Sequence, residues 1–154
     1  MNNNDIFRRI RYIFDFNDDS MMELFALGGR PASRAEISDW LKRDDDPAFQ
    51  PIHDKLLATF LNGLIVKNRG KKDEAPLVAE ERINNNIVFR KLRIAINMRD
   101  DDILFTLNKA GFALSRHELS AFFRNPQQSQ YRPCNDQIMR NFLHGLQMIH
   151  RPSL

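Results

Sequence analysis

Cysteine is nearly missing from this chain: Cys134 stands alone among 154 residues. That excludes an internal disulfide and fits a reducing compartment. Long apolar runs are missing too. No stretch approaches the 18 or so uncharged residues that cross a bilayer as a helix, so no membrane span is expected. The opening MNNNDIFRRIRYIF lacks a charged n-region followed by an apolar h-region, and no secretory signal is expected. Charge of one sign is also scarce. Lys and Arg number 23 against 20 Asp and Glu, a net charge of +3. Dedicated nucleic-acid domains concentrate positive charge more strongly, so the overall balance requires no nucleic-acid partner. Together these absences predict a cytoplasmic protein.

Several chemistries lack their residues. His53, His117, His144 and His150 include no i,i+4 pair, so no zinc site is expected. Gly28-Gly29 is a helix stop rather than a phosphate-cradling loop, and no nucleophile elbow occurs. The acidic run Asp44-Asp45-Asp46 lacks the spaced ligands and closing Glu of a calcium loop. No catalytic residue, cofactor or metal is therefore predicted, and the chain is read as a non-enzyme.

What the chain does have is a repeat. Sliding it against itself by 82 residues leaves 19 identities over positions 3 to 69 without a gap. Asn3-Asn4 falls on Asn85-Asn86, Gly29 on Gly111, Ser33-Arg34 on Ser115-Arg116, Asp54 on Asp136, and Gly63-Leu64 on Gly145-Leu146. Self-similarity at a fixed period marks a repeated structural unit. The first unit is assigned to residues 1–69, a charged linker to 70–83 and the second unit to 84–154. The second half of the linker, VAEERI, has few helix breakers and reads as helix. Units of about 65 residues have marginal cores, so the two are expected to pack together with approximate pseudo-twofold symmetry.

Each unit reads as four helices, and the fold class as all-α. Ile6, Phe7, Ile10, Ile13 and Phe14 form one apolar stripe of a helix over about Asp5 to Phe16. Asp18 is the expected cap of the second helix, which Gly28-Gly29 ends. Ser33 with Glu36, and Ser115 with Glu118, form capping boxes for the third. The fourth is expected near Pro51, which suits a first turn. Gly63 leaves two outcomes: close helix packing, or a helix stop followed by a hairpin with the strand LIVKN. The twelve Phe lie mostly on these stripes and supply a core.

The segments NNNDIFRRIRYIF, SRAEISDWLKRDDD and FLNGLIVKNRG, with their second copies, resemble the YehS-like bacterial family of tandem-repeat cytoplasmic proteins of unknown function. The resemblance covers nearly the whole chain, and the second copy departs from the pattern at FLHGLQMIHRP. It implies a cytoplasmic bacterial protein and brings no activity, ligand or catalytic residue with it.

The best candidate anchors for a partner are arginines repeated in register on polar helix faces: Arg8, Arg11 and Arg34 with Arg90, Arg93 and Arg116. Arginine suits an anionic group through its bidentate fork. The competing reading pairs them with nearby aspartates, as surface ion pairs worth about 0–1 kcal/mol each. Asp54 and Asp136 sit where a helix dipole favours a carboxylate, which explains them without catalysis. Cys134 shares that helix start, but it occupies the place of Ile52 and reads as a buried apolar residue. The expected function is an adaptor or binding protein for a protein or anionic partner. The rival is a tandem winged-helix nucleic-acid binder reading with its fourth helix and a basic GLIVKNRGKK hairpin. Against it, the fourth-helix surface has little positive charge and three aspartates precede it.

Overall fold

An apolar stripe such as Ile6, Phe7, Ile10 and Ile13 stabilises a helix only when something covers it. In the computed structural model, which describes residues 1–70 and 76–151, each of the four is 3% exposed or less. The chain divides into two compact units, Met1–Ile83 and Asn84–Leu154. The first holds α1 (Asn3–Phe14), α2 (Asp18–Leu27), α3 (Arg34–Leu41) and α4 (Asp54–Arg69). The second holds α5 (Asn85–Ala95), α6 (Asp100–Lys109), α7 (Arg116–Ala121) and α8 (Asp136–His150). No strand occurs among the described residues. The chain is all-α and the repeat is a repeat of structure.

The first unit's core is built on Phe7. Its ring meets Phe60 at 4.9 Å, Phe25 at 5.9 Å and Trp40 at 6.3 Å between centroids, mostly edge to face. Phe89 holds that place in the second unit, tilted against Phe142 at 4.5 Å and Phe122 at 6.4 Å and edge to face with Phe123 at 5.1 Å.

Local chemistry moves several boundaries from their predicted places. Asn2 caps α1, and Asp5 returns the bond to the Asn2 N–H, so the helix begins two residues before Asp5. It ends at Phe14 rather than Phe16 because Asp15 turns left-handed at φ 54°. Asn17, not Asp18, caps α2. Both Ser–Glu capping boxes form. At the first, the Arg30 guanidinium and then the Ser33 N–H hold the Glu36 carboxyl down to about 2.

The fourth helix starts at Asp54, not Pro51, because α1 claims the backbone before it. Asn4 is 3% exposed. Its Nδ2 donates to the carbonyls of Trp40 and Gln50, both at 3.0 Å, and its Oδ1 accepts from the Ile52 N–H at 3.2 Å. Asn3 donates to the Ile52 carbonyl at 3.1 Å and to Asp54 Oδ1 at 2.7 Å. Backbone held this way cannot close helical turns. Asn86 repeats the pattern on Phe122, Arg132 and Cys134, and Asn85 on Cys134 and Asp136.

The hairpin after Gly63 is absent: α4 runs unbroken through that residue to Arg69. Gly63 serves close packing instead. A Cβ there would lie 1.7 Å from the Leu24 carbonyl oxygen, and one on Gly145 would lie 2.1 Å from that of Thr106. The second and fourth helices of each unit thus cross backbone against backbone. Lys71 and Lys72, the tip of the expected hairpin, lie outside the described residues. VAEERI is not helical either. The Ile83 N–H donates to Asp54 Oδ2 at 3.1 Å and Glu81 pairs with Lys55 at 2.9 Å, which straps the segment over the start of α4.

Two substitutions test these constraints. Gly63→Ala gains about 1 kcal/mol of helix propensity, but the new Cβ meets backbone, which cannot swing aside. A net loss of about 3 kcal/mol or more is expected in urea unfolding. Asn4→Leu leaves three backbone groups unpaired, two of them buried and one partly buried, and is expected to cost about 3 kcal/mol. A melting curve unchanged by either substitution would contradict this account.

Candidate anion-binding face

Five of the six repeated arginines are held by carboxylates. Arg11 reaches Asp18 at 3.3 Å and donates to the Phe16 carbonyl at 3.0 Å. Arg93 reaches Asp100 at 2.8 Å and lies 4.7 Å over the Phe123 ring. Arg34 pairs with Asp19 at 2.9 Å, and Arg116 pairs with Asp101. Asp18 and Asp19 fall on Asp100 and Asp101 in the repeat, so both partners of these pairs recur together.

Arg8 is the fifth, and the sixth, Arg90, breaks the pattern. In the first unit Arg8 sits in a closed acidic cradle. It meets Asp5 at 2.6 Å, Asp44 at 3.3 Å and the Lys42 carbonyl at 2.8 Å. Burial pushes the Asp5 carboxyl up, but the Asn2 N–H and the Arg8 guanidinium outweigh it and hold that carboxyl below its usual range. Lys42 in turn pairs with Asp39 at 2.5 Å. The second unit keeps the cations and drops every anion. Arg90 and Arg124 stand where Arg8 and Lys42 do, but Asp5, Asp39 and Asp44 are replaced by Ile87, Ala121 and Pro126. Asp45 and Asp46 become Gln127 and Gln128.

Arg90 is exposed and forms no ion pair among the described residues. The Arg124 Nε is buried without a hydrogen-bond partner, and its Nη2 has only a 3.4 Å contact to Ser120 Oγ. Arg132, exposed on the same loop, makes one long 3.4 Å contact to the Tyr131 carbonyl. An incoming anion meets no competing carboxylate here, whereas at Arg8 it must displace two. The wider balance runs the same way. Residues 1–83 carry 13 Lys and Arg against 15 Asp and Glu, net −2; residues 84–154 carry 10 against 5, net +5.

Arg124 and Arg132 were not legible as candidates, because a search for repeated residues passes over positions where the copies differ. The signal was the change from Asp-Asp-Asp at 44–46 to Pro-Gln-Gln at 126–128. The remaining candidates take structural places. Asp54 and Asp136 anchor Asn3 and Asn85, and the amide of Asn85 lowers the Asp136 carboxyl. Cys134 is buried, and desolvation, with Asp136 nearby, pushes its thiol up to about 12. Among the described residues no three His, Cys, Asp or Glu side chains gather closely enough to hold a metal ion. No helix among them is long and apolar enough to cross a membrane.

Comparison with known proteins agrees with the duplication. The family model described as "Protein of unknown function (DUF1456)" matches twice, over residues 3–70 and 85–151. The chain is also similar to "Uncharacterized protein YehS" of Escherichia coli (strain K12). The two are 45% identical over 147 residues, which is 95% of this chain and 94% of the relative. No solved structure matches.

The raised thiol makes a direct prediction. A group with a pKa near 12 is almost wholly protonated at pH 8, and the thiolate is the nucleophile. Disulfide reagents are expected to modify Cys134 in the native protein at least ~100-fold more slowly than in urea. Rapid native labelling would mean that the start of α8 activates the thiol after all.

Proposed function

The chain belongs to the DUF1456 family of proteins of unknown function, and we propose from its own surface that it is a cytoplasmic, non-enzymatic binding protein whose second unit takes an anionic partner. One observation carries this reading: the second unit keeps the cations of the Arg8 cradle as Arg90 and Arg124, and loses the three carboxylates that neutralise them.

The first unit supplies the contrast that supports this reading. There each cation has its own carboxylate, and the charge is spent internally. In the second unit the guanidinium groups keep their donors. Arginine presents five N–H groups in a fixed fork and stays charged at any cellular pH. Two such forks on one rigid helix–loop platform suit an oxyanion such as a phosphate or carboxylate. Arg93 and Arg116 lie on the same unit, but Asp100 and Asp101 neutralise them, so the anion is left to Arg90 and Arg124. The winged-helix alternative loses its support with the hairpin, since α4 continues where the first strand was expected.

The test is fluorescence anisotropy with three labelled polyanions, random duplex DNA, single-stranded RNA and poly-glutamate, at about 50 and 200 mM salt. The expected result is binding at low salt that weakens steeply at the higher one. It should fall by at least ~10-fold in Arg90→Ala/Arg124→Ala and hold within ~2-fold in Arg8→Ala/Arg34→Ala. Equal loss in both variants, or no binding to any of the three at low salt, would remove this function. The preferred polyanion then identifies the class of partner.

A further inference from the structure

Phe105 on α6 is 56% exposed, and Met148 and Ile149 on α8 are 41% and 39% exposed. Single exposed apolar residues need no explanation, but neighbours forming a patch do. The repeat places two of them, Phe105 and Ile149, side by side, with Met148 next to Ile149 in the chain. Phe105 and Ile149 stand at the places of Glu23 and Lys67, whose side chains meet at 3.1 Å across α2 and α4. The crossing next to them is tight in both units, at Gly63 on Leu24 and at Gly145 on Thr106. One position pair therefore carries an ion pair in the first unit and two bare apolar side chains in the second. The first unit proves that water-compatible residues fit the crossing, so packing does not require Phe and Ile there.

We propose that the Phe105–Ile149–Met148 patch is a docking site for a partner helix that presents apolar anchors flanked by acidic side chains. The setting of the patch selects that chemistry. Lys109 lies 5.3 Å over the Phe105 ring. Arg140 and His144 are exposed on α8, two turns and one turn before Met148 respectively, on the stripe that leads to it. Two second units brought together at this patch would set +5 against +5, which argues for an acidic occupant rather than a second copy. Two antiparallel helices joined at a close crossing present a fixed apolar strip, the kind of surface that receives anchors spaced i, i+3/i+4, i+7. The site rests on different elements from the Arg90–Arg124 face.

The test uses the whole protein and two labelled amphipathic peptides with the same leucine stripe, one with glutamate and one with lysine at the polar positions. The glutamate peptide is expected to bind and the lysine peptide to bind at least ~10-fold more weakly. Phe105→Glu/Ile149→Lys installs the first unit's own ion pair, so it is expected to melt like the parent and to bind the glutamate peptide at least ~10-fold more weakly. A glutamate peptide whose leucines are replaced by serine is expected to bind the parent and Phe105→Glu/Ile149→Lys within ~2-fold of each other, which separates this site from the anion face. Equal affinity for both peptides, or unchanged binding by Phe105→Glu/Ile149→Lys, overturns the proposal. So does a concentration-dependent dimer in sedimentation that this variant dissociates, since a second copy would then cover the patch.

Discussion

Each unit depends on one buried side-chain amide. Asn4 and Asn86 sit on the first helix and satisfy one carbonyl at the end of the third and two backbone groups of the segment that leads to the fourth. Backbone N–H and C=O groups shielded from water must pair with something; the third helix accepts from the Gln50 N–H at Asp39, and from the Arg132 N–H at Ala121, and leaves the neighbouring groups to the amide. The amide solves that problem and also sets the geometry. It delays the fourth helix to Asp54 or Asp136 and points that helix so that its glycine meets the second helix. A hydrophobic residue at the same place would fill the space and leave the loop unpaired, which is the costlier outcome. The neighbouring Asn3 and Asn85 extend the clamp to the first carboxylate of the fourth helix.

The glycine crossing follows from that orientation. Gly63 and Gly145 let a carbonyl of the neighbouring helix approach where any side chain would collide with it. The first unit adds a second close contact, Gly28 against Thr59, that the second unit cannot make because Ala110 replaces Gly28. In the second unit the threonine lies on the other helix, as Thr106 opposite Gly145. Both threonines bond back to the carbonyl four residues earlier, Thr59 to Lys55 and Thr106 to Asp102, both at 2.8 Å. Their hydroxyls are thereby satisfied inside a close-packed crossing, where an unpaired one would be destabilising.

The helices, the repeat, the capping boxes and the aromatic core were legible because each rests on local spacing that sequence displays directly. The boundaries were less so. Pro51 suggested a helix start on its own merits, and only a contact 48 residues away, from Asn4 to Ile52, overrides it. Gly63 carried two meanings that local sequence cannot separate, since a helix stop and a close crossing both demand a missing side chain. VAEERI has helix propensity, yet Ile83 and Glu81 bond to the start of α4 instead. In every case a tertiary contact decided what propensity left open.

The same logic reorders the functional reading. In-register repetition drew attention to six arginines, but repetition accompanies structural duty at least as often as binding. Arg11 with Asp18 and Arg34 with Asp19 recur as Arg93 with Asp100 and Arg116 with Asp101, each side chain together with its counter-charge. A duplicated unit that preserves both halves of a contact is preserving the contact. Where one half is kept and the other removed, the contact is gone and the remaining half is available. Arg90 and Arg124 without their carboxylates are one such place, and Phe105 with Ile149 in place of an ion pair is another. Both lie on the second unit, and both leave its surface less self-satisfied than its sister's. Because both units fold into the same four helices, neither difference is a requirement of that fold.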